Sequence, residues 1–255
     1  MPLVSIITPA YNSADLIAET IESILAQTFT DWELLITDDC SKDNTVEIVK
    51  SYAEKDSRIK LFQLEKNGGG GVARNNSIAQ AQGRYIAFCD SDDCWYPTKL
   101  EKQLAFMQQQ DCALSYSSYM TCDERGTING IIVAPNTVTY KSSLKDNKIA
   151  CLTGMYDSEK VGKVFLPLIR KRQDWGLWIK VLSKCQKAEG IKEPLALYRL
   201  REGSISSNKF DLIKYNVGLY QEVLGWSKLR AFLFFIFGFI PSFIKKKIIV
   251  AAYNK

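Results

Sequence analysis

The stretch Tyr85-Ile-Ala-Phe-Cys-Asp-Ser-Asp-Asp93 decides the fold, because it predicts a buried β-strand that runs directly into a cluster of carboxylates. Short apolar runs of this kind alternate with helical patterns along the first half of the chain. Such alternation is typical of βαβ units. The sequence therefore predicts an α/β fold with a Rossmann-like, mostly parallel central sheet flanked by helices.

Three more strands are predicted upstream, over residues 4–8, 33–37 and 59–63. Apolar residues at helical spacing predict helices between them, and Ser13 is the expected N-cap of the first. A further helix is expected to begin with Pro97 in its first turn. Ligands of such sheets bind where the parallel strands end, so the loops after these strands are the expected binding edge.

The acidic cluster at the end of the fourth strand is the first candidate for chemistry. Side chains at positions i and i+2 of an extended chain share a face, so the carboxylates of Asp90 and Asp92 converge. Two converging carboxylates repel each other unless a cation joins them, and Mg²⁺ or Mn²⁺ prefers such oxygen ligands. The alternative is a solvated acidic loop in which Asp93 caps the next helix.

Two other features follow predicted strands. The pair Asp38-Asp39 is either turn chemistry or an acceptor aimed at a nucleotide base or ribose. Four glycines after Asn67 could bring backbone N–H groups to a phosphate at a helix N-terminus, or could form a mobile turn. Arg74 lies one turn into that helix, where it could reach a diphosphate or serve as an ordinary surface arginine.

Composition narrows the chemistry that the chain can perform. Its 255 residues include no histidine, which removes the commonest general base and the commonest zinc ligand. Acid–base and metal chemistry must then use carboxylates. The seven cysteines form no C-x-x-C pair, and Met1 leads straight into an apolar strand without a signal peptide. We therefore expect reduced thiols and a cytoplasmic protein.

The net charge of +5 is concentrated at one end of the chain. Residues 209–255 carry eight Lys or Arg against two acidic residues, whereas residues 1–208 carry 25 against 26. This basic tail flanks the apolar run 231–240, which is about half the length needed to span a bilayer. A neutral body argues against a nucleic-acid partner. We expect residues 228–250, including Lys245 to Lys247, to bind the cytoplasmic membrane surface peripherally. A helix docked on the protein's own core is the alternative.

Four motifs in fixed order resemble family 2 glycosyltransferases of the GT-A fold. They are Val4-Ser-Ile-Ile-Thr-Pro-Ala-Tyr-Asn12, Leu34-Leu-Ile-Thr-Asp-Asp-Cys-Ser41, Asn67-Gly followed by Ala73-Arg-Asn75, and Ala87-Phe-Cys-Asp-Ser-Asp-Asp93. This similarity covers residues 3 to 110. A weaker similarity through Arg172-Gln-Asp-Trp-Gly-Leu-Trp178 and Leu197-Tyr-Arg-Leu-Arg-Glu-Gly-Ser-Ile-Ser206 extends it to residue 206.

The resemblance implies a nucleotide-sugar site with a divalent metal, Mn²⁺ or Mg²⁺. The base and ribose would contact Pro9, Ala10, Tyr11, Asp39 and Asp90. The metal that bridges the diphosphate would be held by Asp92, with Asp93 as the second candidate. Arg74 and Arg201 would help to hold the diphosphate. The family often has histidine where this chain has Arg201, and an arginine cannot shuttle a proton at neutral pH.

The same resemblance implies that Asp174 is the catalytic base. It falls on the aspartate of the family's Glu-Asp pair. The first residue of that pair is Gln173 in this chain, so a role of Gln173 in acceptor binding is in doubt. The alternative is that Asp174 is the N-cap of the helix that follows. As a base, Asp174 would take the proton of the acceptor hydroxyl during a single inverting displacement.

These expectations add up to a division of the chain and a function. Residues 1–208 would form the glycosyltransferase domain, with a nucleotide-binding half over 1–110 and an acceptor-side half over 111–208. Residues 209–255 would form a helical, membrane-associating extension. The enzyme would move a hexose from a UDP-sugar to a glycan or lipid-linked saccharide in cell-surface polysaccharide synthesis. The alternatives are a sugar nucleotidyltransferase and a non-catalytic membrane-associated binding protein.

Overall fold

A computed structural model of the chain describes residues 1–200 and 212–243. Over these ranges one mixed sheet is covered by helices on both faces. Its strands are β1 (Val4–Ala10), β2 (Trp32–Asp38), β3 (Ile59–Gln63), β4 (Tyr85–Phe88), β5 (Cys94–Trp95), β6 (Leu114–Cys122), β7 (Ile128–Ile132), β8 (Thr137–Thr139), β9 (Met155–Asp157) and β10 (Lys187–Arg199).

The α-helices are α1 (Ile17–Leu25), α2 (Thr45–Ala53), α3 (Gly70–Gln80), α4 (Lys99–Gln109), α5 (Tyr140–Ser143), α6 (Ser158–Val161), α7 (Gln173–Cys185), α8 (Leu212–Leu224) and α9 (Lys228–Phe234). A 3₁₀ turn covers Cys151–Thr153, and a π-helical turn over Phe235–Phe239 continues α9. No helix within the described ranges is both long and apolar enough to cross a bilayer.

The first half of the sheet is parallel, as the sequence predicts. Its strand order is β3-β2-β1-β4. Ala10 pairs with Asp38 across β1 and β2, and Ile7 pairs with Phe88 across β1 and β4. The carboxyl ends of these three strands therefore meet at one edge, and this edge carries the loops with Tyr11, Asp39 and the acidic cluster.

The second half of the sheet is mixed. The short antiparallel strand β9 lies between β4 and β6, and β6 runs parallel to β10. Directly after the acidic cluster, β5 pairs with β10 through Trp95 and Ala196. The acidic loop, residues 90–93, is consequently fixed between β4 on one side and β10 on the other.

Helices cover the sheet in two layers because strand residues alternate between its faces. Ile6 and Leu34 face the layer formed by α1, α2 and α4. Ile7 and Leu35 face the opposite layer, formed mainly by α3 and α7, where Trp178 is fully buried. All seven cysteines are free thiols, as predicted.

The C-terminal helices α8 and α9 pack on the side of α7 that faces away from the sheet. Trp175 on α7 contacts the Tyr220 ring edge-on at 6.1 Å and the Phe239 ring at 5.9 Å. Phe235 and Phe239 are buried in the same cluster. This face of the apolar run is therefore docked on α7, as in the docking alternative, and the division of the chain at residue 209 stays a prediction.

Three local expectations from the sequence are wrong. The residue preceding α1 is Leu16, and Ser13 contributes only its carbonyl, which accepts from the N–H groups of Leu16 and Ile17. The helix α4 begins at Lys99, two residues after Pro97, and its N-cap position is Thr98. Asp93 is therefore not a helix cap.

Candidate active site

Three strand-end loops are tied to one another at the carboxyl edge of the sheet. The N–H of Asp39 donates to the carbonyl of Ala10 at 2.8 Å. Asn12 adopts a positive φ of 47°, which asparagine tolerates, and its side chain accepts from Lys42 N–H at 2.8 Å. The hydroxyls of Ser13 and Ser91 lie 2.7 Å apart. The loops after β1, β2 and β4 thus form one connected rim.

Pro9, Ala10 and Tyr11 lie where the sequence predicts, at the end of β1. Ala10 is buried, whereas Tyr11 is half exposed. An exposed aromatic ring beside a rim of polar loops provides a surface on which a planar base can stack. The assignment of these residues to a nucleotide base stays a prediction.

Asp39 organises the glycine loop. Its buried carboxylate accepts from the backbone N–H groups of Gly68 and Gly69 at 2.6 and 2.8 Å. Gly69 has a φ of 83°, a conformation that side chains disfavour, and α3 begins at the next residue. These hydrogen bonds connect the end of β2 to the start of α3. The expected contact between Asp39 and a base stays a prediction, since both carboxylate oxygens already serve the loop.

Arg74 forms an ion pair with Asp90. Its Nη2 lies 2.5 Å from Asp90 Oδ1, and the arginine side chain is largely buried. Burial by itself would lower the pKa of Arg74, but the Asp90 carboxylate, with smaller effects from Cys151 and Asp174, raises that pKa above its ordinary value. Over the described residues Arg74 Nε is buried without a hydrogen-bond partner. Arg74 is therefore a fixed cation at the centre of the site and not a surface arginine.

Asp92 and Asp93 differ in their surroundings. Asp92 is half-buried, whereas Asp93 is 1% exposed and accepts from Arg199 N–H at 2.9 Å. Burial, together with the charges of Asp90 and Asp92, raises the pKa of Asp93 well above its usual range. Arg199 also donates to the Asp92 carbonyl at 3.2 Å. The carboxyl of Asp93 therefore binds the acidic loop to β10. Asp92 is the better candidate ligand for a metal ion.

Asp174 lies in the first turn of α7. The start of α7 packs closely against the start of α3. A Cβ on Gly71 would lie 2.6 Å from Gln173 Nε2, so the absence of a side chain at Gly71 lets the two helix starts meet. The N-cap position of α7 is Arg172, in a left-handed conformation with a φ of 70°. The alternative that Asp174 caps this helix is therefore wrong. Its carboxylate instead accepts from the Asn147 side-chain amide at 2.7 Å.

The structure brings together most of the residues that the sequence singled out. Arg74 pairs with Asp90. The close approach of Gly71 to Gln173 brings the start of α7, which carries Asp174, to the helix that carries Arg74. Arg201, which is expected to contact the diphosphate, lies outside the described residues. Sequence reasoning missed Asn147, which lies outside every quoted motif, and Arg199, which lies within the stretch from Leu197 to Ser206 but was not singled out. Both act through partners distant in sequence.

Comparison with known proteins identifies the family of the chain. Residues 5–155 match the family described as Glycosyl transferase family 2. The putative teichuronic acid biosynthesis glycosyltransferase TuaG of Bacillus subtilis (strain 168) is 47% identical over 223 residues, which is 87% of this chain and 88% of that protein. The UDP-Glc:alpha-D-GlcNAc-diphosphoundecaprenol beta-1,3-glucosyltransferase WfaP of Escherichia coli is 41% identical over 210 residues, which is 82% of each.

The fold also matches solved structures. The crystal structure of S. aureus TarS 1–349 in complex with UDP-GlcNAc superposes with a TM-score of 0.73 at 24% sequence identity, over 93% of this chain and 74% of that one. The mannosyltransferase PcManGT of Pyrobaculum calidifontis, solved in complex with GDP-Man and Mn²⁺, gives a TM-score of 0.66 at 15% identity, over 89% of this chain and 65% of that one. The GT-A fold expected from the sequence is confirmed.

Proposed function

The chain belongs to glycosyl transferase family 2, and from this premise we propose that it transfers a hexose from a UDP-sugar to a lipid-linked saccharide with inversion at the anomeric carbon. Family membership makes it a glycosyltransferase, so the sugar nucleotidyltransferase and the non-catalytic binding protein are set aside. The observation that carries the proposal is the ion pair between Asp90 and the buried Arg74, which lies on the helix whose start meets the start of α7 beside Asp174.

Charge development in the reaction fits these three residues. As the anomeric C–O bond breaks, negative charge builds on the leaving diphosphate and positive charge on the sugar. Arg74, held by Asp90, offers its guanidinium to the diphosphate. Asp174, held by Asn147, takes the proton of the acceptor hydroxyl while that hydroxyl attacks from the opposite face. A single displacement of this kind inverts the configuration.

A divalent cation fits this acidic loop in a particular way. Within residues 1–200 and 212–243, no three acidic, cysteine or histidine side chains are grouped so as to hold a metal by themselves. Mg²⁺ commonly binds through one or two carboxylates and completes its coordination with substrate phosphates and water. We infer that Asp92 holds Mn²⁺ or Mg²⁺ in that manner, with Asp93 behind it as support. When bound, the ion would neutralise charge on the diphosphate.

The acceptor is proposed from the relatives. The name of WfaP states an acceptor in which a sugar is linked through a diphosphate to undecaprenol, and the name of TuaG places that protein in teichuronic acid biosynthesis. Both match more than four-fifths of this chain. We infer that this chain also extends a saccharide carried by a prenyl diphosphate.

A lipid-borne acceptor requires the enzyme to work at a membrane, and one surface of the structure suits this. The surface of α9 and of the π-helical turn after it that points away from the cluster around Trp175 is apolar and exposed, with Leu229 at 69% and Phe237 at 75%. Lys228 and Arg230 flank this face, and Lys245 to Lys247, outside the described residues, follow in sequence. Apolar residues flanked by cations are typical of segments that lie in the interface of anionic membranes.

The direct test is a transfer assay with the purified full chain and Mn²⁺. UDP-glucose, UDP-galactose, UDP-N-acetylglucosamine and GDP-mannose would each be offered with a short-chain N-acetylglucosaminyl diphospholipid as acceptor. We expect one UDP-sugar to yield a disaccharide product with inverted anomeric configuration by mass spectrometry and NMR. Transfer from GDP-mannose alone, or a product of retained configuration, would contradict the proposal.

A further inference from the structure

The segment 162–172, which connects α6 to α7, has a composition that the transfer reaction alone does not explain. It ends in three consecutive cations, Arg170, Lys171 and Arg172, two residues before Asp174. Leu168 is 68% exposed, and Phe165 is also exposed. We propose that this segment is a subsite for the prenyl diphosphate of the acceptor, in which the cations bind the diphosphate and Leu168 contacts the prenyl chain. This inference rests on the proposed lipid-linked acceptor.

The segment is anchored on both sides, so its exposed side chains are held in place. Leu166 exchanges two hydrogen bonds with the Asn75 side chain of α3, at 2.8 and 3.0 Å. Ile169 packs into the cluster formed by Trp175 and the C-terminal helices. Leu168 lies between these two anchors and still projects into solvent. The anchored segment therefore holds the exposed apolar side chains of Phe165 and Leu168 in place.

The cations are fixed beside aromatic rings. Lys171 Nζ lies 5.2 Å from the centre of the Tyr215 ring, and Arg172 Cζ lies 5.7 Å from the centre of the Trp175 ring. Arg170 is exposed. Guanidinium groups bind phosphate oxygens through paired N–H donors, which an ammonium group cannot do. A run of three cations of this kind matches the charge of a diphosphate.

The basic run lies along the chain between the candidate base and the exposed apolar residue. A prenyl diphosphate sugar presents its reacting hydroxyl first, then the diphosphate, then the lipid. Asp174, the basic run at 170–172 and exposed Leu168 follow one another along the sequence in the corresponding order.

The test measures binding of a soluble prenyl diphosphate, farnesyl diphosphate, to the full chain by calorimetry without vesicles. Saturating UDP and Mn²⁺ are present, so that the donor site is occupied. The variants are Arg170→Gln with Lys171→Gln, and separately Arg170→Glu. A matched control, Lys50→Gln with Lys55→Gln, removes two exposed cations on and just after α2. Circular dichroism and thermal melting establish that each variant folds.

We expect both test variants to weaken farnesyl diphosphate binding by about tenfold or more, because charge-assisted hydrogen bonds are lost. The control and the binding of farnesol, which lacks the diphosphate, should be unchanged. Equal affinity of wild type and test variants would overturn the proposal, as would binding that UDP abolishes. So would variants that lose affinity only for phosphatidylglycerol vesicles, because the run would then be a membrane contact.

This readout needs no sugar transfer, so the two proposals fail separately. Binding that depends on Arg170 and Lys171 in a protein that transfers no UDP-sugar would contradict the proposed donor and leave the subsite standing. Transfer to a diphospholipid acceptor with an unchanged KM in the Arg170 and Lys171 variants would contradict the subsite alone.

Discussion

Asn147 donates a hydrogen bond of 2.7 Å from its side-chain amide to Oδ2 of Asp174. Asn147 lies in the loop between α5 and the 3₁₀ turn at Cys151–Thr153, 27 residues before its partner. The amide holds one oxygen of the candidate base and so fixes the orientation of its carboxylate. Asn147 is therefore a positioning residue in this account.

Replacing Asn147 should misorient the base without touching the donor site. For Asn147→Ala we expect kcat to fall by about tenfold, since misplacement of a reacting group is costly, while the dissociation constant for UDP stays the same. Steady-state transfer and UDP titration measure the two quantities. The exposed neighbour Lys148 provides the control, and Lys148→Ala should leave both unchanged. A rise in the UDP dissociation constant with normal kcat would assign Asn147 to the donor site instead.

Substitutions of the neighbouring residues Asp92 and Asp93 should have different effects, the first on transfer and the second on stability. Asp92→Ala should abolish Mn²⁺-dependent transfer and leave the thermal stability as it is. Asp93→Ala removes the buried acceptor of the Arg199 N–H, and an unsatisfied buried donor costs about 1–3 kcal/mol. We therefore expect a lower melting temperature for Asp93→Ala. Excess EDTA should stop the wild type, and full activity in EDTA would rule out the metal site.

Lys99 predicts a pH dependence of stability. It is fully buried, its Nζ donates to Gln103 Oε1 at 2.7 Å, and it lies 4.0 Å from the centre of the Trp95 ring. Burial lowers its pKa to about 7, whereas an unfolded lysine has a pKa of about 10.4. Between these values only the unfolded chain holds the proton. The free energy of unfolding should therefore rise with pH across this window, by up to about 1.4 kcal/mol per pH unit.

A methionine at this position would remove the titrating group. The free energy of unfolding of Lys99→Met, measured by urea titration at pH 6.5, 7.5 and 8.5 in reductant, should rise less steeply than that of the wild type. Gln103→Leu serves as the control, because it removes the hydrogen-bond partner and keeps the lysine. Parallel pH curves for wild type and Lys99→Met would show that Lys99 does not titrate in this range.

The two faces of α9 and its continuation should respond differently to polar substitutions. Leu229→Ser with Phe237→Ser changes exposed residues and should weaken binding to phosphatidylglycerol vesicles while the melting temperature stays the same. Phe235→Ser changes a buried residue and should lower the melting temperature, because burial of a phenylalanine contributes about 1.5–3 kcal/mol. Vesicle sedimentation and thermal melting separate the two effects. Unchanged sedimentation of the first variant would place the membrane contact elsewhere.

The local sequence pattern is sufficient to predict the strands of the nucleotide-binding half of the sheet. The strands β1 to β4 are continuous apolar runs, and their parallel order follows from the helices between them. The strands β5, β8 and β9 have only two or three residues each and exist because β10, β4 and β6 pair with them. Such short pairings leave no periodic signal in the sequence, so none was predicted.

The candidate site was predictable in part. Asp90, Asp92 and Asp174 are visible in motifs, whereas the partners that orient them come from distant chain segments. Arg199 meets the Asp93 carboxyl across 106 residues, a contact that only the mixed half of the sheet creates. The complete burial of Lys99 is likewise invisible in the sequence, since lysine is almost never fully buried. Tertiary packing, and not local pattern, decides these positions.

The central claim is that Asp174 is the base of an inverting transfer, and single-turnover transfer by Asp174→Asn tests it most directly. Asparagine keeps the shape of the side chain but cannot accept the proton. With UDP-sugar and Mn²⁺ saturating, we predict that the rate of transfer falls by about 10²- to 10⁴-fold while UDP affinity stays within twofold of the wild type. Transfer by Asp174→Asn at the wild-type rate would contradict the assignment and place the base on another residue.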